Sequence, residues 1–109
     1  MSPKHGLRDV TVEQIRTVLA RFLEVEIAIL FGSRAKGAHK PGSDIDLALI
    51  GGGLNQRTLG CIDDALDDLL LPYGFSLVIL DEKTDPAVAA HIRRVGIRLF
   101  EREPLGAKR

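Results

Sequence analysis

Cysteine and aromatic residues are scarce in this sequence, and long apolar runs are absent. The 109 residues include one cysteine, one tyrosine, four phenylalanines and no tryptophan. A single cysteine, Cys61, can form no internal disulfide and cannot anchor a zinc cluster by itself, and its apolar neighbours Leu59 and Ile62 predict that it packs in the core. No apolar run approaches the ~18–20 residues of a membrane helix, and the first residues lack the apolar stretch of a signal peptide. We therefore expect a cytoplasmic protein without a membrane partner.

Charge of one sign is not in excess either. Fifteen Lys and Arg residues balance fifteen Asp and Glu residues. Proteins that bind nucleic acid through its phosphate backbone carry an excess of positive charge, so nucleic acid is not expected as a direct partner. Apolar residues make up 45% of the chain and charged residues 28%, a composition typical of a folded domain. We assign residues 1–109 to a single domain with its core at about 11–102 and a polar tail at 103–109.

Hydrophobic periodicity predicts an α/β fold of the α+β type, in which helices flank a mixed β-sheet. The predicted elements are helices over 11–24, 59–70 and 86–95, a short helix within 33–43, and strands over 25–31, 44–50, 75–80 and 97–100. Thr11 and Gln14 fit a capping box at the start of the first helix. Asp85 before Pro86 fits an N-cap with proline at the first helical position.

The second long helix combines an apolar stripe with an acidic face. The stripe consists of Leu59, Ile62, Leu66, Leu69 and Leu70. Four aspartates fall on the opposite side of the same helix: Asp63, Asp64, Asp67 and Asp68. They predict either a solvated face or a docking surface for a basic partner.

Two carboxylates interrupt an otherwise apolar strand. Asp44 and Asp46 are two residues apart, so their side chains point to the same face of the strand, while Ile45 and Leu47 point to the core. Carboxylates placed side by side repel each other and raise each other's pKa, and a cation between them removes this conflict. Mg²⁺ binds through one or two carboxylates and completes its shell with water and phosphate oxygens. Taken alone, the pair predicts either a solvated pair at a strand edge or a Mg²⁺ site.

The turn that follows the preceding strand favours a phosphate. Gly32 has no Cβ and lets a phosphate approach the backbone, and Ser33 offers a hydroxyl donor at the start of the predicted short helix. Arg34 and Lys36 add positive charge. A phosphate cradle beside a Mg²⁺-binding carboxylate pair is what metal-assisted phosphoryl or nucleotidyl transfer requires.

These segments together resemble the signature of the polymerase-β-type nucleotidyltransferase superfamily, and in particular the minimal nucleotidyltransferases. The resemblance rests on residues 31–37 and 43–47, with similar segments at 71–73 and 91–96, and spans roughly residues 15–102. It implies the nucleotidyltransferase fold and a two-metal Mg²⁺ site with ATP as substrate. The residues it implies for nucleotide binding are Gly32, Ser33, Arg34 and Ser43, and those for catalysis and metal binding are Asp44 and Asp46.

The resemblance also implies a protein partner. Minimal nucleotidyltransferases are often encoded beside a small helical HEPN-type protein, and some neutralise this toxin by transferring AMP from ATP to one of its tyrosines. The sequence departs from the family at Ser76, where a third carboxylate would complete the metal site. A neutral serine cannot act as a base near pH 7 and binds Mg²⁺ less well than a carboxylate.

Three functions follow as alternatives. The first is an antitoxin that transfers AMP to a HEPN-type toxin, and the second is an antitoxin that acts by binding alone because Ser76 disables transfer. The third is a nucleotide-sensing module without transfer. The sequence leaves homo-oligomerisation open.

Overall fold

The computed structural model describes residues 7–32 and 44–102. In chain order, these residues form α1 (Asp9–Ala20), β1 (Ile27–Phe31), β2 (Ile45–Ile50), α2 (Gln56–Asp67), β3 (Phe75–Ile79), α3 (Pro86–Val95) and β4 (Ile97–Glu101). The predicted short helix within 33–43 and the tail at 103–109 lie outside the described residues. No helix in the described ranges is both long and apolar enough to cross a membrane.

The four strands form one mixed sheet, as predicted, in the order β3-β2-β1-β4. β1 pairs antiparallel with β2 and with β4, while β2 and β3 run parallel and are joined through α2. As a result, β1 finishes at the end of the sheet where β2 and β3 begin. This end carries Asp44 and Asp46 and is called the acidic end below.

Helices cover the two faces of the sheet unequally. On one face, α1 and α2 bury the alternate strand residues Ala28, Leu30, Ile45, Leu47 and Leu49, all with no exposed surface. On the other face, α3 packs through Ala89 and Ile92 against Ile29 and Ala48. Side chains along a strand alternate between faces, so burial of Ile45 and Leu47 confirms the predicted orientation of β2 and leaves Asp46 on the α3 face.

The predicted start of α3 is confirmed, whereas that of α1 is wrong. The Asp85 carboxylate accepts a hydrogen bond of 2.8 Å from the backbone N–H of Ala87, and Pro86 is the first helical residue. α1 begins at Asp9 rather than at a Thr11 cap, and the residue at its N-cap makes no side-chain capping bond. Thr11 lies inside the helix and is only 6% exposed, because it falls on the face that packs against the core.

The predicted extent of the apolar stripe on α2 is too long. The helix ends at Asp67, and Leu70 adopts a left-handed conformation at φ +56° with 88% of its surface exposed. The backbone N–H of Leu70 donates to the carbonyl of Asp67 at 3.0 Å, so the last turn tightens before the chain turns toward β3. Cys61 is also exposed rather than in the core, because the stripe that packs inward consists of Leu59, Ile62 and Leu66.

Arg102 ties the end of β4 to the connection between α1 and β1. Its backbone N–H donates to the carbonyl of Glu26 at 2.7 Å. Its guanidinium donates at 3.1–3.2 Å to the carbonyls of Val25, Ala20 and Phe22. One of these bonds satisfies the carbonyl of Ala20, the last residue of α1, which has no partner within the helix.

Candidate functional site

The acidic end of the sheet brings together residues from three strands. Asp46 on β2 lies opposite Phe31, the last residue of β1, and directly beside Ser76 on β3. Asp44 immediately precedes β2 and is exposed, while Asp46 is partly buried. The antiparallel pairing of β1 and β2 therefore places Gly32, which follows β1, next to the carboxylate pair.

The two carboxylates are electrostatically in conflict. Partial burial raises the pKa of Asp46 above its ordinary value, and the negative charge of Asp44 raises it further. Both effects disfavour the ionised form of Asp46. A cation bound between the two side chains would remove the second effect, and this is the behaviour that a metal-binding pair requires.

Gly32 fits closely against Asp46. Its backbone adopts a left-handed conformation at φ +79°, which glycine tolerates because it has no Cβ. A Cβ at this position would collide with Oδ2 of Asp46 and lie 3.2 Å from its Cγ. The absence of a side chain at Gly32 therefore makes room for the Asp46 carboxylate.

Gly74 plays the same part for Asp44 and was not singled out from the sequence. A Cβ on Gly74 would lie 2.9 Å from Oδ1 of Asp44. The carbonyl of Gly74 accepts a hydrogen bond of 2.9 Å from the N–H of Ile45, which starts the pairing of β2 with β3. The sequence shows only that a glycine precedes the predicted third strand. Its contact with Asp44 depends on the parallel pairing of β2 with β3.

Ser76 occupies a position from which a third carboxylate could join the pair. Its strand position is in register with Asp46, so the two side chains share a face, and parallel strands lie about 4.8 Å apart. Ser76 is exposed. Asp81 and Glu82 follow the opposite end of β3 and cannot take its place. Within residues 7–32 and 44–102, no three His, Cys, Asp or Glu side chains form a group that could hold a metal ion.

The described residues fit Mg²⁺ as a two-carboxylate ligand set. Asp44 and Asp46 supply hard oxygen donors, and the charge of Asp44 already raises the pKa of Asp46. Two carboxylates are sufficient for Mg²⁺ when water and phosphate oxygens complete its shell. Ser33, Arg34 and Ser43, which the sequence assigns to the nucleotide, lie outside the described residues and stay predictions.

A separate hollow on the described part of the chain lies away from the acidic end. It has a volume of about 580 Å³ and runs between α1 and β4. Its charged residues pair with each other, Arg16 with Glu13 at 2.8 Å and Arg98 with Glu101 at 2.9 Å. These pairs leave it less suited to an anionic ligand than the acidic end with a bound cation.

Comparison with solved structures identifies similar folds. One is a toxin–antitoxin with AMP-PNP, with 21% identity and a TM-score of 0.70, covering 84% of this chain and 74% of that chain. A second is a tri-AMPylated HEPN toxin of Shewanella oneidensis in complex with MNT antitoxin, with 18% identity, a TM-score of 0.67, and coverage of 88% and 74%. A third is the toxin–antitoxin MntA–HepT, with 18% identity, a TM-score of 0.66, and coverage of 87% and 74%. At these identities the likeness establishes the fold.

Comparison with protein families extends over most of the sequence. No curated protein sequence matches the chain. Residues 13–105, however, match the family model of the polymerase beta nucleotidyltransferases. This range includes Gly32, both aspartates of the acidic end and Ser76. The chain therefore belongs to the polymerase-β-type nucleotidyltransferase family.

Proposed function

We propose that this protein is the antitoxin of a HEPN-type toxin, and that it binds ATP with Mg²⁺ and transfers AMP to a hydroxyl group of the toxin. The observation that carries the proposal is the placement of Gly32, Asp44 and Asp46 together at one end of the sheet. It is supported by similar solved structures that contain AMP-PNP or an AMPylated HEPN toxin. This role places the protein in the cytoplasm.

Each residue of the site has a distinct part in the proposal. Asp44 and Asp46 hold Mg²⁺, which when bound polarises phosphate oxygens and neutralises their charge. Gly32 has no side chain, which leaves room for the Asp46 carboxylate against the turn and keeps the turn's backbone open to a phosphate. We assign Ser33, Arg34 and Ser43 to the triphosphate.

Ser76 limits the transfer step. In the transfer, the acceptor oxygen forms a bond to the α-phosphorus of ATP, pyrophosphate leaves, and the hydroxyl proton must be removed. A carboxylate at position 76 would lie beside Asp46 and could take this proton, whereas a serine hydroxyl cannot do so near neutral pH. General-base catalysis typically contributes 10²–10⁴-fold in rate, so we expect ATP binding with slow transfer.

A second function is favoured by the same serine. An antitoxin that neutralises its toxin by forming a complex would need the fold and the partner surface but no general base. Ser76 stands beside Asp46, and the described residues contain no group of three His, Cys, Asp or Glu side chains that could hold a metal ion; this is the observation that favours the binding-only function.

The test measures incorporation of radiolabelled AMP into a co-expressed HEPN-type partner protein, with Mg²⁺ present. We expect little transfer by the wild type and a large gain in Ser76→Asp, because the strand already aims this side chain at Asp46. Ser76→Asn is the matched control, since it has nearly the same size without the charge, and it should show no gain.

Other outcomes separate the alternatives. Robust transfer by the wild type without a gain in Ser76→Asp would mean that the third carboxylate is dispensable. Co-purification and neutralisation of the toxin without transfer by any variant would establish the binding-only function. Absence of any complex between the two proteins, tested after nuclease treatment, would contradict both.

A further inference from the structure

β3 is an edge strand whose outer side is open in the described part of the chain. The N–H of Ile45 bonds to the carbonyl of Gly74, and the N–H of Leu80 bonds to the carbonyl of Leu49, each at 2.9 Å. In a parallel pair, the residues whose polar groups face the partner alternate along the strand. Even-numbered residues of β3 therefore face β2, and the N–H and carbonyl groups of Phe75, Leu77 and Ile79 point outward.

One hydrogen bond supports this assignment. The outward carbonyl of Ile79 accepts a bond of 3.2 Å from the hydroxyl of Thr84. Natural edge strands are often protected by charged residues or proline, but residues 75–79 contain neither. Five further outward groups, on Phe75, Leu77 and the amide of Ile79, are thus in position to bond with another chain.

A groove runs along this open edge. It lies between α2 and β3 and consists of two hollows of about 230 and 360 Å³ that share the lining residues Gln56, Leu59 and Leu77. Its floor is apolar, formed by Leu59 together with Phe75, Leu77 and Ile79. An extended segment needs both features, a row of backbone partners and apolar surface for alternate side chains.

Gly60 widens this groove. It lies in the middle of α2, where glycine is among the poorest helix formers. Among the described residues, no atom lies within 4 Å of a Cβ placed at this position, so packing in this part of the chain does not require glycine here. The space above Gly60 is instead available to a ligand that lies in the groove.

We propose that an extended segment of the partner protein adds to the outer edge of β3 as a fifth strand, with alternate apolar side chains on the groove floor and a basic side chain facing Asp63. The proposal rests on the proposed function in that the partner is the same HEPN-type protein. The fifth strand would lie about 4.8 Å beyond β3, next to Ser76. Strand addition would therefore bring the partner to the reacting end of the sheet.

Charge favours a basic segment over a second copy of this chain. Asp63 lines the groove near Phe75, and neither ion pair among the described residues involves it. Burial raises the pKa of Asp63, and the nearby charges of Asp67 and Asp64 raise it further, so a basic side chain would relieve repulsion. In a second copy paired antiparallel about Leu77, the net negative stretch 81–83 of one copy would approach the acidic end of the other.

The experiment measures the affinity of the full chain for the HEPN-type partner protein by calorimetry. Gly60→Leu fills the groove at a site where a Cβ would contact no described atom, and we expect it to weaken binding at least about tenfold. Gly60→Ala adds only a methyl group, and Cys61→Leu adds comparable apolar bulk at an exposed position that does not line the groove. Both controls should bind like the wild type, while Asp63→Asn should weaken binding and reduce its salt dependence.

Hydrogen exchange followed by NMR gives a direct signature of strand addition. In the complex, the outward amides of residues 75, 77 and 79 should exchange at least about tenfold more slowly, whereas those of 76 and 78, already bonded to β2, should change little. Equal protection of all five amides would indicate general stabilisation and overturn the proposal. Three further results would also overturn it. Gly60→Leu could bind with wild-type affinity, or Gly60→Leu and Cys61→Leu could lose affinity equally. The protein could also self-associate in a way that Gly60→Leu abolishes. Failure of the wild type to bind at all would instead refute the proposed pairing.

Discussion

Replacement of Gly32 by alanine tests whether the turn after β1 shapes the carboxylate site. The substitution should act in two ways, because the glycine is both left-handed and in contact with Asp46. At φ +79° an L-residue is strained, and the added Cβ would collide with Oδ2 of Asp46. Relief of the collision requires rotation of the Asp46 side chain away from the position it holds beside Asp44.

The expected cost follows from these two effects. A left-handed conformation costs a residue with a Cβ about 1–2 kcal/mol, and an off-rotamer carboxylate costs about 0.5–1.5 kcal/mol. Alanine also reduces the entropy of the unfolded chain, which offsets up to about 1 kcal/mol. We therefore expect the free energy of unfolding to fall by about 0.5–3.5 kcal/mol, and each kcal/mol lowers Tm by roughly 4–8 °C in a domain of this size.

A double-mutant cycle separates the two effects. In an Asp46→Ala background the carboxylate is gone, and the remaining Cβ of residue 46 lies at an ordinary 3.5 Å from the new methyl group. Gly32→Ala should then cost only its conformational strain, so the coupling between the positions should be about 0.5–1.5 kcal/mol. The assays are urea unfolding of the four proteins and calorimetry of ATP binding with Mg²⁺, where Gly32→Ala should lose about tenfold in affinity.

Gly52→Ala is the matched control. This glycine lies in the exposed turn after β2, and a Cβ there would have no atom within 4 Å. Its substitution should change neither stability nor ATP affinity appreciably. If Gly32→Ala and Gly52→Ala were equally stable, both the backbone strain at Gly32 and its contact with Asp46 would be refuted as causes. If the costs of Gly32→Ala and Asp46→Ala were additive in the cycle, only the contact with Asp46 would be refuted.

Three further predictions concern the site and the fold. Asp44→Asn with Asp46→Asn should abolish Mg²⁺-dependent ATP binding in calorimetry while the circular dichroism spectrum stays unchanged; unchanged affinity would refute the site. Asp44→Asn alone should lower the pKa of Asp46 in an NMR titration but leave it above about 3.8, because burial is the larger cause. A carboxyl whose pKa is raised in the folded state loses stability for the protein as pH rises from about 3.8 through the raised pKa. Because Asp44→Asn reduces this rise at Asp46, the variant should be more stable than the wild type at pH 7 without Mg²⁺. A less stable variant would contradict the prediction. Arg102→Met removes three hydrogen bonds to carbonyls and should lower the unfolding free energy by about 1–3 kcal/mol, whereas Arg98→Met removes an exposed ion pair and should cost at most about 1 kcal/mol.

The sequence by itself determined the features that depend on local pattern. Alternation of apolar and polar residues identified β2 and the opposite orientations of Asp46 and its neighbours Ile45 and Leu47, because side-chain direction in a strand depends only on parity. The cap at Asp85 was predictable for the same reason, since a carboxylate two residues before a free backbone N–H needs no distant partner. The family signature at 31–37 and 43–47 also lies within one continuous stretch.

Only the tertiary structure decided which residues share the acidic end. Parallel pairing of β2 with β3 sets Ser76 beside Asp46 and Gly74 against Asp44, and neither contact has a local signal. The start of α1 and the exposure of Cys61 and Leu70 were likewise decided by which helical turns the core could cover. Hydrophobic periodicity specifies which face of a helix is apolar, but not at which residue that face stops contacting the core. The end of the contact depends on residues distant in the sequence that pack against the helix.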